Sequence, residues 1–137
     1  MSSRLNPYIS FQDSAKDAME FYRDVFGGEL NVSTFGEYGQ SDPGVADRVM
    51  HAQLETDRGF TLMASDTAPG MDRQEGTNIS ISLSGDDEAE LRGYFEKLSD
   101  GGQVGMPLEK QVWGDFFGDC TDKFGTKWLV NISGENA

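Results

Sequence analysis

Near the start of the chain apolar and polar residues alternate. Pro7, Ile9 and Phe11 fall on one face, and Asn6, Tyr8 and Ser10 on the other. A period of two reads as a half-buried strand over 6–11. The period then lengthens. Ala18, Phe21, Tyr22, Val25 and Phe26 recur at helical spacing, and Ser14-Ala-Lys-Asp17 has the form of a capping box in which Asp replaces Glu or Gln. Gly27-Gly28 ends that helix. A strand follows over about 29–35, and then 36–46, rich in Gly, Ser, Asp and Pro, reads as a long mobile loop. Alternation resumes at Arg48, with Met50, Ala52 and Leu54 opposite Val49, His51, Gln53 and Glu55. After the Asp57-Arg58-Gly59 turn, 60–65 makes a further strand.

The same order recurs. Asn78, Ser80 and Ser82 alternate with Ile79, Ile81 and Leu83, and Asp87-Glu-Ala-Glu90 suits the start of a helix striped by Leu91, Tyr94, Phe95 and Leu98. Gly101-Gly102 closes it. Strands are expected near 103–106, 112–121 and 127–132, the last two joined by the turn Asp122-Lys-Phe-Gly125. Asn6 pairs with Asn78, Phe21-Tyr22 with Tyr94-Phe95, and Gly27-Gly28 with Gly101-Gly102, at offsets of 72, 73 and 74 residues. So smooth a drift marks a duplicated unit. The expected fold class is α+β, with two tandem βαβββ modules, 1–66 and 77–137, joined by a polar linker, 67–76. Each module is too small to stand alone, so the two pack together or swap between chains.

Bulk properties narrow the function. With 24 acidic against 11 basic residues the formal charge is −13, a field that repels phosphate backbones, so no nucleic acid is expected as partner. No apolar run is long enough to span a membrane and the first residues hold no signal-type apolar core, which makes the cytoplasm the expected location. Cys120, the single cysteine, excludes an internal disulfide. Beside Asp119 and Asp122 it lacks the positive charge that would favour a thiolate.

Six phrases carry a family resemblance: Asn6-Pro-Tyr-Ile-Ser-Phe11, Ala18-Met-Glu-Phe-Tyr-Arg-Asp-Val-Phe-Gly-Gly28, Met50-His-Ala52, Leu62-Met-Ala-Ser-Asp66, Trp113-Gly114 and Thr121-Asp-Lys-Phe-Gly125. With the doubled module, they resemble the vicinal oxygen chelate superfamily of glyoxalase I, bleomycin-resistance proteins and extradiol dioxygenases. Within it they are similar to the PhnB-like branch, often labelled 3-demethylubiquinone methyltransferase-like. The resemblance implies curved mixed sheets enclosing a cleft, and a homodimer. It also implies a divalent ion held from the first and fourth strands of each module. Asn6, Asn78, Met63 and Leu129 stand at those positions, and two amides with two apolar chains do not hold such an ion; no metal and no cofactor are expected. A nucleotide-type methyl donor would require a Gly-rich turn entering a helix, whereas both Gly-Gly pairs leave helices.

The polar strand faces supply the candidate site. His51, the only histidine, is the candidate catalytic base or else a hydrogen-bonded strand residue. Tyr8, Ser10, Gln53, Ser80 and Ser82, with Asn6, Asn78, Met63 and Leu129, are candidate ligand-binding residues, or line a wet surface. Trp113, Phe116 and Phe117 stack on a ligand or make core or dimer contacts; Phe124 and Trp128 are assigned to the core. Loops 36–46 and 66–76 are lids or plain surface. Three functions follow: binding of a small organic molecule without turnover, turnover of a carbonyl or phenolic substrate with His51 as base, and an interaction role through a dimer surface.

Overall fold

The computed structural model describes residues 5–39, 45–67, 76 and 78–134. The chain divides into two units, 1–75 and 76–137. In the first, β1 (Tyr8–Phe11), α1 (Ala15–Phe26), β2 (Glu29–Thr34), β3 (Val49–Glu55) and β4 (Thr61–Asp66) build a sheet in the order β1-β4-β3-β2. β1 runs parallel to β4, and the other pairs are antiparallel. In the second, β5 (Ile81–Gly85), α2 (Glu88–Ser99), β6 (Gln103–Val104), β7 (Glu109–Lys110), β8 (Phe116–Thr121) and β9 (Lys127–Ile132) give the order β5-β9-β8-β6, with β7 also on β8. β5 is parallel to β9. The architecture is α+β, one helix per mixed sheet. Among the described residues no helix is long and apolar enough to cross a membrane.

Each helix covers one sheet face. α1 buries Ala15, Ala18, Met19, Tyr22, Val25 and Phe26, while Ala52, Leu54, Leu62 and Ala64 are buried in the sheet it packs on. α2 buries Leu91, Phe95 and Leu98, and Trp128, Val130 and Ile132 of β9 are buried in its sheet. Each large apolar side chain so placed contributes about 1.5–3 kcal/mol. Met19 takes the buried place in α1 expected of Phe21, which is half-buried. The second glycine of each pair does more than stop a helix: a Cβ on Gly28 would strike the backbone of Glu55 and Thr56, and one on Gly102 that of Thr121 and Asp122. Both hairpins press onto these glycines.

The two helix starts differ. Asp87 caps α2 as expected, accepting the Glu90 N–H at 3.1 Å. Ser14 makes no side-chain cap to α1. The buried Asp66 carboxylate of β4 replaces it: Oδ1 accepts the Ala15 N–H at 2.9 Å and Oδ2 the Val49 N–H at 2.8 Å. A charged acceptor from a neighbouring strand satisfies the helix terminus better than a serine hydroxyl.

Several strand expectations are corrected. Ser33 pairs with His51 but Thr34 with Val49, so Met50 is an extra residue in a bulge. The bulge turns Val49 inward beside Ala52 and Leu54, although simple alternation puts it with His51. β5 starts only at Ile81, leaving Asn78, Ile79 and Ser80 exposed ahead of it. In place of one strand near 103–106 there are two short ones, because residues 106–108 cross so close over Gly118 that a Cβ there would meet Met106 and Leu108 backbone. β8 begins at Phe116, not 112; Gln111 to Gly114 is a turn closed by Gly114 N–H to Gln111 O at 3.0 Å. Trp128 is fully buried, whereas Phe124 lies half-buried on the β8–β9 turn. Of loop 36–46, residues 40–44 lie outside the described residues, as do 68–75 of the linker and Thr77.

Candidate functional site

Sheet register decides which polar side chains share the face of the first sheet turned away from α1. Tyr8 is opposite Met63, Met63 opposite Gln53, and Gln53 opposite Asn31, so these four form one row across the sheet. Ser10 faces Ser65 one step along β1 and β4, and Ser33 faces His51 across β2 and β3. Neighbouring strands lie about 4.8 Å apart, which sets Tyr8 and Gln53 about 10 Å apart with Met63 between.

His51 links Tyr8 and Gln53 of this row. The Tyr8 hydroxyl lies 3.2 Å from His51 Nδ1, and His51 Nε2 lies 3.4 Å from Gln53 Oε1. An amide oxygen only accepts, so the Gln53 contact is a hydrogen bond only with the imidazole hydrogen on Nε2; Nδ1 then presents its lone pair, and Tyr8 donates to it. The Tyr8 and His51 rings approach at 5.7 Å between centroids, tilted by 43°. Tyr8 is 50% exposed, His51, Gln53 and Met63 are half-buried, and Ser10 is exposed.

The remaining candidates stand elsewhere. Asn6 is half-buried just ahead of β1, where Pro7 O accepts the Met63 N–H at 3.1 Å. In the second unit Leu129 is opposite Ser82 and Asp119, facing away from α2, but Asn78 and Ser80 precede the sheet and Trp113, 62% exposed, is on the turn before β8. Leu129 occupies the place of Met63 relative to its hairpin, so Ser82, not Ser80, answers to Tyr8, and Ser80, not Asn78, answers to Asn6. Sequence reasoning missed Asn31, Ser33 and Ser65 on the first open face. Their signal was alternation along β2 and β4, legible only once the facing strands are known.

The donors at these positions are a phenol, a thioether, an imidazole, amides and hydroxyls, a set poor in the carboxylate and imidazole groups a catalytic divalent ion needs. Among the described residues no three His, Cys, Asp or Glu side chains gather as a metal-holding group. The second unit carries its titratable groups differently. Cys120 is buried, and desolvation, then Asp122 and Asp119, push its thiol up to about 11. Asp115 is held below the usual carboxylate range by the Gly134 N–H and then by the Asn131 amide.

The family described as 3-demethylubiquinone-9 3-methyltransferase matches residues 3–131. Among solved structures the chain is similar to protein PA1353 from Pseudomonas aeruginosa, at 36% identity and a TM-score of 0.84 over 96% of this chain and 98% of that one. It is similar to a PhnB protein from Bacillus cereus, at 25% identity and a TM-score of 0.77 over 96% and 100%. A glyoxylase/bleomycin resistance protein/dioxygenase domain from Frankia shares the fold, at 13% identity and a TM-score of 0.65 over 97% and 98%.

Proposed function

The chain belongs to the 3-demethylubiquinone-9 3-methyltransferase family, and from that premise we propose that the open face of its first sheet binds a small oxygenated organic molecule. The observation that carries this is the hydrogen-bonded series Tyr8–His51–Gln53 laid across a row of polar strand positions. A sheet face built only to meet water has no need of an ordered phenol, imidazole and amide in sequence. Hydroxyls of Ser10 and Ser65 beside it add orienting groups for oxygen-bearing ligands.

The family description names a methyl transfer, and the residues here do not suit its usual nucleotide-type donor. The turn into α1, Gln12-Asp13-Ser14, has no glycine, and the Ala15 N–H is already bonded to Asp66. The donor set likewise does not fit a divalent ion, so binding is read as independent of metal.

A thermal-shift screen of small carbonyl and phenolic compounds, run with and without chelator, tests the reading. A ligand at a hundred times its dissociation constant adds about 2.7 kcal/mol of stability. Stabilisation that survives chelator and is lost in His51→Ala supports the site. A screen without a single stabilising compound sinks it.

Turnover of a carbonyl or phenolic substrate with His51 as base is the second reading. It is favoured by one observation: Tyr8 gives a proton a direct route to Nδ1. Full turnover in His51→Ala would remove that assignment. A cytoplasmic homodimer is the expected setting, and the molar mass in solution tests the dimer.

A further inference from the structure

We propose that the ligand is an aromatic ring bearing a free hydroxyl at one end and a carbonyl-type acceptor at the other. This rests on the reading that the first open face is a binding site. Hydrogen-bond direction at the two ends carries it. Gln53 Oε1 faces Nε2 and takes the imidazole hydrogen on one lone pair, and the Gln53 NH2 can only donate. Nδ1 then takes the one hydrogen of the Tyr8 hydroxyl. Tyr8 Oη therefore meets a ligand as an acceptor, not as the donor a tyrosine more often provides.

The face thus accepts at Tyr8 and offers a donor at Gln53, with Met63 opposite both in the same row. Met63 and the half-exposed Tyr8 ring form a soft apolar surface between the polar ends, the kind on which a planar ring packs. A separation of about two strand spacings suits substituents on opposite sides of one ring. An anionic ligand is disfavoured, since no lysine or arginine stands in the row and the chain carries −13. The neutral hydroxy form is the one taken.

Calorimetric titration of the full chain with 4-hydroxyacetophenone and with 4-methoxyacetophenone, both in chelator, tests this. The methoxy compound keeps the ring and carbonyl but has no hydrogen to give to Tyr8 Oη. The hydroxy compound is expected to bind about tenfold more tightly, a difference of one good hydrogen bond. Tyr8→Phe, with fold checked by circular dichroism, is expected to erase that preference. Equal binding of the two compounds overturns the inference, as does a preference that persists in Tyr8→Phe; either leaves small-molecule binding intact. Failure of both compounds to bind also overturns it, and the wider thermal-shift screen then separates a wrong ligand class from a face that binds nothing.

Discussion

The two hairpins that close the two sheets have the same backbone and different chemistry. In the first, Thr56 N–H bonds Phe60 O at 3.0 Å and the Thr56 hydroxyl accepts the Phe60 N–H at 3.1 Å. In the second, 66 residues on, Asp122 N–H bonds Thr126 O at 2.8 Å while the carboxylate accepts from Phe124, Thr126 and the buried Trp128 indole. At the far end of the last strand the roles reverse. The first unit has Asp66, tying α1 to β3, and the second has Ile132, paired directly with Phe116. Among the described residues each unit keeps one buried carboxylate, in different places. A duplicated fold tolerates such divergence because what it needs is satisfied backbone donors, and any nearby acceptor will serve.

The open faces diverge further. Tyr8, His51 and Gln53 of the first sheet answer to Ser82, Phe117 and Asp119 of the second, and Asp119 is engaged in its own sheet edge, accepting the Met106 N–H at 2.9 Å. The helix-facing sides stay apolar in both units while the other sides separate. Packing against a helix constrains the first; among the described residues no helix constrains the second.

The largest effect expected from breaking this comparison is at Asp122. Asp122→Ala leaves the buried Trp128 N–H and two turn amides without their acceptor, and denaturant titration should show a loss of about 3–4 kcal/mol. Thr56→Ala, its counterpart, should cost only about 1 kcal/mol. Similar losses at the two sites would mean that the hairpins are energetically alike.

Asp66→Ala should cost about 2–3 kcal/mol by the same measurement, since two backbone donors lose a charged acceptor. Asp66→Asn should recover part of this, its amide oxygen still accepting. If Ser14→Ala proved as costly as Asp66→Ala, the helix start would be capped locally after all.

Cys120 offers a test by pH. With its thiol pushed up to about 11, roughly one molecule in a thousand carries a thiolate at pH 8, so a disulfide reagent should react slowly until the protein is unfolded. The unfolded chain ionises first as pH rises past the ordinary thiol value of 9.0. Stability from this group is therefore complete below that value and lost as pH approaches about 11. Rapid labelling of folded protein at pH 8 would contradict the burial.

The smallest effect sharpens the contrast between core and open face. Tyr8→Phe should change stability by no more than about 0.5 kcal/mol, because the ring is half-exposed. The single histidine makes nitrogen NMR unambiguous, and the imidazole should carry its hydrogen on Nε2 in the wild type. A hydrogen on Nδ1 would reverse the direction of the Tyr8 contact.

Local signals in the sequence carried much of the fold. The apolar stripes of α1 and α2, the Asp87 cap, the Gly-Gly helix ends and the repeat itself arise from neighbours within a few residues, where helical and strand geometry relate position to face directly. They determined two strand-and-helix units, and the polar run holding Tyr8, His51 and Gln53. Tertiary structure decided what those residues meet. The cap on α1 comes from Asp66, 51 residues beyond Ala15, and Tyr8 reaches His51 across a separation of 43. The Met50 bulge turned Val49 inward against its own alternation, and the late start of β5 moved the counterpart of Tyr8 from Ser80 to Ser82. Register between strands distant in sequence is set by the packing of whole sheet faces and by which backbone groups find partners, and no window of local sequence contains that information.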